Sequence, residues 1–231
     1  IIGLPGSGKT TVFKALTGAV ESADKKGHQE PGIGVVKVKD PRLEFLAAYH
    51  KPKKVVPVYV EYLDIAGLTG GSRSGRSIGD KFLSYVRPLD ALVHCIRFFD
   101  SQLLGPPTPM RDYKAVAEEL ILSDLALVEK RLERATKELQ RGKKDLAEEV
   151  ELLEKAHKLL DEGKPLRLFP PARTSEKLRG FAFLSAKPEL VLLNSSDDKS
   201  REEITKALDE LRNEAGHQPN IAFDWLYADT E

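Results

Sequence analysis

The run Gly3-Leu4-Pro5-Gly6-Ser7-Gly8-Lys9-Thr10 spells G-x-x-x-x-G-K-[ST] in full, and it constrains this chain more than any other feature. It follows the apolar pair Ile1-Ile2 and leads into a stretch that reads as a helix from Thr10 to Thr17, stopped near Gly18. A loop between a buried strand and a helix is the context in which this pattern has a mechanism. Its glycines let the backbone curl around a phosphate and turn amides inward. The helix N-terminus behind it adds positive potential. In such a loop Lys9 is expected to reach the β- and γ-phosphates of a purine nucleoside triphosphate, and Thr10 to ligate Mg²⁺. Gly3, Gly6, Ser7, Gly8, Lys9, Thr10 and Thr11 are the expected phosphate-binding residues. A buried strand normally precedes the loop, so the chain is expected to be part of a longer protein.

The rest of the chain agrees with an α/β fold. Ile33 to Val38, Val55 to Leu63, Ala91 to Phe98 and Glu189 to Leu193 read as strands. Helices are expected from Asp40-Pro41 to Tyr49, from Lys81 to Val86 and from Glu202 to Glu214. Alternation of this kind predicts a largely parallel sheet. Two polar, glycine-rich stretches, Glu21 to Gly34 and Gly67 to Gly79, read as loops.

Composition excludes several classes. The 231 residues carry 36 Lys+Arg against 36 Asp+Glu, which argues against a chain that coats nucleic acid or membranes through net charge. The single cysteine, Cys95, rules out an internal disulfide and fits a reducing, cytoplasmic compartment. No apolar run approaches the ~20 residues that span a bilayer. A monomer without membrane contact is expected.

Two further motifs follow strands. Asp64-Ile65-Ala66-Gly67 ends one, and its carboxylate is placed to hold a Mg²⁺-bound water while Gly67 offers its amide to a γ-phosphate. Asn194-Ser195-Ser196-Asp197 ends another. An aspartate there accepts two hydrogen bonds from guanine, at N1 and the 2-amino group, which adenine does not offer. A solvated polar turn explains the same residues nearly as well. Ser185-Ala186-Lys187 imitates a base-binding loop but precedes N-x-x-D, so it reads as the lead-in to a strand.

The middle of the chain has a different rhythm. Ile121, Leu125, Val128, Leu132, Ala135 and Leu139 are spaced 4, 3, 4, 3, 4, and Leu146, Val150, Leu153, His157 and Leu160 repeat the pattern. The turn Arg141-Gly142-Lys143-Lys144-Asp145 lies between them. These features predict an antiparallel helical hairpin, a coiled coil over 111–164, whose first seam runs for about 30 Å. It would interrupt a nucleotide-binding domain made of 1–110 and 165–231. The basic tip at Arg141, Lys143 and Lys144 is a weak footprint for ribosomal RNA, and Lys51, Lys53 and Lys54 form a second small cluster. His157 and Cys95 read as packed side chains.

Together these residues resemble the YchF branch of the Obg-related P-loop NTPases, which includes the Obg-like ATPases. The resemblance is carried by GLPGSGKTTVFKALTG, VKDPRLEFLAAYHKPKK, VYVEYLDIAGLTGG, FLSYVRPLDALVHCIRFFD and ELILSDLALVEKRL, and extends over almost the whole chain. It implies a Ras-like core with helices flanking a mostly parallel sheet, an inserted helical hairpin, a TGS domain that this chain lacks or truncates, and a link to ribosomes. Many members of that family prefer ATP, a preference that goes with N-x-x-E. The chain departs from the family at three places. Gly6 stands where an asparagine usually assists a monovalent cation, His28 where a threonine usually faces Mg²⁺, and Asp197 where the glutamate of N-x-x-E stands. Leu68 shares the family's hydrophobic replacement of a water-orienting glutamine, so turnover is expected to be slow, with Lys9, Gly67 and Leu68 framing the chemistry. Arg73 and Arg76 read as exposed loop charges. Three functions remain open on the sequence: a slow Mg²⁺-dependent GTPase or ATPase, a nucleotide-responsive binding module, and, less well supported, a small-molecule kinase.

Overall fold

The computed structural model describes residues 1–18, 31–65 and 80–215. Gly67, Leu68, Arg73, Arg76, His28 and Trp225 lie outside the described residues. In chain order the elements are α1 (Lys9–Thr17), β1 (Gly32–Lys37), α2 (Pro41–His50), β2 (Tyr59–Asp64), α3 (Asp80–Val86), β3 (Leu92–Phe98), α4 (Pro109–Gln140), α5 (Ala147–Asp161), α6 (Pro171–Thr174), β4 (Glu189–Ser195) and α7 (Arg201–Ala215).

Local chemistry sets their ends. Asp40 caps α2 by accepting from the Arg42 backbone amide at 2.9 Å, with Pro41 at the first helical position. Gly18 closes α1 in the left-handed conformation, its amide bonded to Lys14 O.

The strands form two pairs. β3 and β4 run parallel, with Cys95 opposite Leu192. β1 and β2 run antiparallel, with Val36 opposite Val60. Ile1 and Ile2 join the pairs. Ile2 N donates to Val93 O, Cys95 N donates to Ile2 O, and Ile1 N donates to Leu63 O. The residues entering the glycine loop therefore lie between β2 and β3, which aims the loop at the strand ends.

Helices cover both faces. Val12 and Phe13 of α1 pack with Ile1, Cys95 and Leu192 on one face. On the other, Ile96, Val191 and Leu193 meet Tyr113 of α4 and Leu208 and Leu211 of α7. The alternation of Cys95 with Ile96 along β3 is what a strand covered on both sides requires.

Helix α4 is 32 residues long, about 48 Å at 1.5 Å per residue, and begins well before the predicted seam. Tyr113, Val116 and Leu120 pack toward the sheet. Farther on, Ile121, Val128 and Ala135 pack with Val150, Leu153, Ala156 and Leu160 of α5. The chain after α5 joins the same cluster through Leu166, Ala172, Leu178 and Phe183. His157, expected within the seam, is half-exposed and lies 3.6 Å from Glu129.

Candidate nucleotide site

The glycine loop is held from below by two side chains. Ser7 O accepts from Cys95 Sγ at 3.2 Å and from Asn194 Nδ2 at 3.0 Å. Burial pushes the Cys95 thiol up to about 11, so it stays protonated and serves as a donor rather than a nucleophile. Gly8 caps α1 at φ 88°, and a Cβ there would lie 2.0 Å from Asn194 Nδ2. Gly6 adopts φ 79°, and a Cβ on it would meet Leu104 Cδ1 at 2.6 Å. Gly8 leaves no room for a side chain, whereas at Gly6 the neighbour is only the tip of the Leu104 side chain and the left-handed backbone is what favours glycine.

Lys9, the first residue of α1, is buried, and its Nζ donates to Leu4 O at 2.9 Å across the loop. Burial pushes its ammonium below the usual lysine value, while Cys95 and Asp64 act the other way. Thr10 and Thr11 are exposed at the helix start. Thr10 Oγ1 donates to Asp64 Oδ2 at 2.7 Å, which joins the loop to the end of β2 across 54 residues of sequence. Asp64 Oδ1 and Ser7 Oγ are buried without a hydrogen-bond partner among the described residues. A carboxylate oxygen left unmatched beside a threonine hydroxyl is the hard-oxygen donor set that Mg²⁺ prefers. The residues present thus fit the implied ion and phosphates.

The structure brings together Gly3, Gly6, Ser7, Gly8, Lys9, Thr10, Asp64 and Asn194. Asn194 reaches the loop backbone through its amide, whereas Asp197 is exposed on the turn after β4. Ser185-Ala186-Lys187 is buried ahead of β4, as a lead-in should be. Asp124 accepts from Leu184 N, Ser185 N and Ser185 Oγ, and Lys187 Nζ donates to Arg87 O and Leu89 O.

Sequence reading missed Arg97. Its buried guanidinium donates to Phe99 O, Gly105 O and Pro106 O at 2.7–3.0 Å, pinning the loop that sets Leu104 against Gly6. It also missed a buried group around Glu189. His94 Nδ1 lies 2.9 Å from Glu189 Oε1, while Tyr113 Oη and Arg167 Nη1 donate to Oε2. The available signal was a histidine and an arginine inside the otherwise apolar strand Leu92-Val93-His94-Cys95-Ile96-Arg97-Phe98.

A glycine loop opening a helix, with a carboxylate beside it at a strand end and helices on both sheet faces, is the fold of the P-loop GTPases. A family model described as 50S ribosome-binding GTPase matches residues 1–138. The ribosome-binding ATPase YchF of Bacillus subtilis is 37% identical over 206 residues, 86% of this chain and 56% of its own length. The YchF of Escherichia coli O157:H7 is 34% identical over 96% of this chain and 62% of its own, and Obg-like ATPase 1 of Schizosaccharomyces pombe 34% over 92% and 58%. The solved structure of the S. pombe YchF GTPase superposes with a TM-score of 0.70 at 31% identity, covering 97% of this chain and 64% of that one. The chain belongs to the YchF/Obg-like ATPase family. It spans about 56–62% of the length of these curated relatives.

Proposed function

We propose that this chain binds a purine nucleoside triphosphate with Mg²⁺ and hydrolyses it slowly, as a switch that associates with the ribosome in the cytoplasm. The observation that carries the reading is the Thr10–Asp64 hydrogen bond, with Asp64 Oδ1 left unmatched, next to a complete phosphate loop. In this reading Gly3, Gly6, Ser7, Gly8 and Thr11 offer the loop and helix amides to the phosphates, and the Lys9 ammonium leaves Leu4 O for the β- and γ-phosphates. Mg²⁺ supplies charge neutralisation at the phosphate oxygens, held through Thr10 and Asp64. Gly67 senses the γ-phosphate, and Leu68, with no polar atom, leaves the attacking water poorly oriented, which keeps turnover slow. Asn194 supports the loop, and Asp197 either accepts from a guanine base or serves as a turn residue beside an adenine. Residues 1–110 and 165–231 form the nucleotide-binding domain and 111–164 an inserted coiled-coil hairpin. The ribosomal partner is supported by the relatives' names, ribosome-binding ATPase and 50S ribosome-binding GTPase.

Calorimetric titration with MgADP and MgGDP, together with phosphate release, tests the reading. Lys9→Ala is expected to abolish both binding and hydrolysis. A Lys9→Ala protein with full Mg²⁺-dependent hydrolysis overturns it. Tight binding of GDP alone assigns base reading to Asp197, whereas tight binding of ADP alone makes Asp197 a turn residue.

A nucleotide-responsive module with negligible hydrolysis is favoured by one contact. Leu104, apolar and half-exposed, stands against Gly6, where a polar side chain would otherwise reach the phosphates. Ordinary turnover by the isolated chain overturns this alternative.

A further inference from the structure

Strand β1 is paired on one side only among the described residues. Its partner is β2, and β2 meets Ile1 on its far side, so β1 forms an open edge. The register runs from Gly32↔Asp64 to Lys37↔Tyr59, and one step beyond it Val38 N donates to Val58 O. Antiparallel ladders alternate, so Gly32, Gly34, Val36 and Val38 direct their backbone groups at β2. Ile33, Val35 and Lys37 direct theirs off the sheet. Their side chains share the face opposite Gly34, which lies under Thr17 and Phe13 of α1. Ile33 is 64% exposed and Val35 59% exposed. Branched apolar side chains beside open backbone groups are a template for a further strand.

The sequence of the edge selects which strand. Over 32–38 it reads Gly-Ile-Gly-Val-Val-Lys-Val, with small residues early and branched ones late. Turned about a two-fold axis at Val35, the strand meets its own complement. Val35 faces Val35 of the second copy. Ile33 faces Lys37, whose apolar stem can lie along it. On the α1 side, Gly34 faces Val36 and Gly32 faces Val38, so each branched side chain lies opposite a residue without one. This two-fold register is the one that maps the three outward residues onto themselves. Sliding by one step sets Lys37 against Pro31, which has no amide hydrogen. Sliding the other way sets Ile33 against Lys39, past the end of the strand.

We infer that β1 is the docking surface for a second copy of this chain, which continues the sheet antiparallel across a two-fold axis at Val35. Three outward pairs exchange about six backbone hydrogen bonds, and the interface is isologous. One strand pair buries little area, which makes the dimer a transient one. The monomer expected from the sequence is the dilute form of this equilibrium. Ile33, Val35 and Lys37 take no part in the nucleotide site described above.

Sedimentation velocity of the full chain from about 1 µM to about 1 mM, the affinity range of small interfaces, tests the inference. The mass is expected to rise toward twice that of the chain. Amide hydrogen exchange read by NMR at both ends of that range reports the register. The Ile33, Val35 and Lys37 amides should slow severalfold in the concentrated sample, whereas Gly34 and Val36, already bonded to β2, should not change. Val35→Pro removes an amide hydrogen that points off the sheet, a position where edge strands accept proline. It should keep the wild-type melting temperature and stay monomeric. Val35→Lys sets like charges on the axis and should do the same. A chain still monomeric at about 1 mM, a dimer that persists in both variants, or slowed exchange that spares Val35 overturns the inference. A peptide of alternating valine and threonine serves as the foreign strand. If it protects Ile33 and Val35 where the chain itself stays monomeric, the edge takes strands in general and the assignment to a second copy falls.

Discussion

Single atoms decide what the phosphate loop tolerates. Gly8 combines a left-handed backbone with an Asn194 amide 2.0 Å from where a Cβ would sit. Gly8→Ala is therefore expected to lose nucleotide binding in calorimetry and to lower the melting temperature, because either the loop or β4 must shift. Asn194 makes a sharper prediction. Its Nδ2 donates to Ser7 O, so it acts on the loop and not on one base. Asn194→Ala should weaken MgADP and MgGDP alike, by about three- to tenfold, the worth of one buried hydrogen bond. Asp197→Ala should weaken GDP alone. A loss confined to one base for Asn194→Ala would place its amide on the base instead. The loop itself was legible in the sequence because its glycines, lysine and threonine are contiguous. The support beneath it was not, because Asn194 and Cys95 arrive from strands far along the chain, and no local pattern ties them to Ser7.

Elements show the same division between local and distant information. The heptad spacing of α4 and α5 was legible because one partner repeats every turn, and Val128, Ala135 and Leu153 are fully buried as that spacing requires. The first three turns of α4 carry a different packing pattern. Tyr113, Val116 and Leu120 face the sheet, a partner without helical periodicity, so they lie outside the heptad seam that starts at Ile121 although the helix begins at Pro109, close to the start of the 111–164 hairpin expected from the sequence. The antiparallel run of β1 and β2 was also missed, since strand direction follows from how the connecting α2 segment returns and not from β-propensity. A buried seam predicts a buried cost. Leu153→Ala should destabilise the chain by about 2–5 kcal/mol in urea unfolding while leaving nucleotide affinity unchanged. Arg97→Ala is expected to do both: it releases three carbonyls of the loop behind Leu104, lowering stability and nucleotide affinity together. Unchanged affinity in Arg97→Ala would show that the loop lies against Gly6 without supporting it.

Glu189 ties the parts of the molecule together. Its carboxylate sits at the start of β4 and contacts His94 of β3, Tyr113 of α4 and Arg167 of the segment after the hairpin. Sheet, long helix and returning chain thus meet at one buried charge. Burial alone would raise that carboxyl, but the charge of Arg167 and the hydrogen bonds and charge that His94 and Arg167 bring outweigh it and hold it at about 2, below its ordinary value of 4.5. The sign follows from linkage: a group whose folded value lies below its unfolded value stabilises the fold above the unfolded value. The contribution of Glu189 is therefore complete above about pH 4.5 and drains away between there and about pH 2. Glu189→Gln keeps the shape and removes the charge, leaving the Arg167 guanidinium, whose side chain is 9% exposed, without its carboxylate. Breaking a buried pair in this way costs about 3–5 kcal/mol at neutral pH. Urea unfolding of both proteins at pH 7, 5, 4 and 3 should show a gap that is constant down to about pH 5 and then narrows, as the wild type loses an interaction that the variant never had. A gap of the same size at pH 3 would mean that Glu189 acts through packing rather than charge. The junction between the sheet and the hairpin would then be held by its apolar contacts alone.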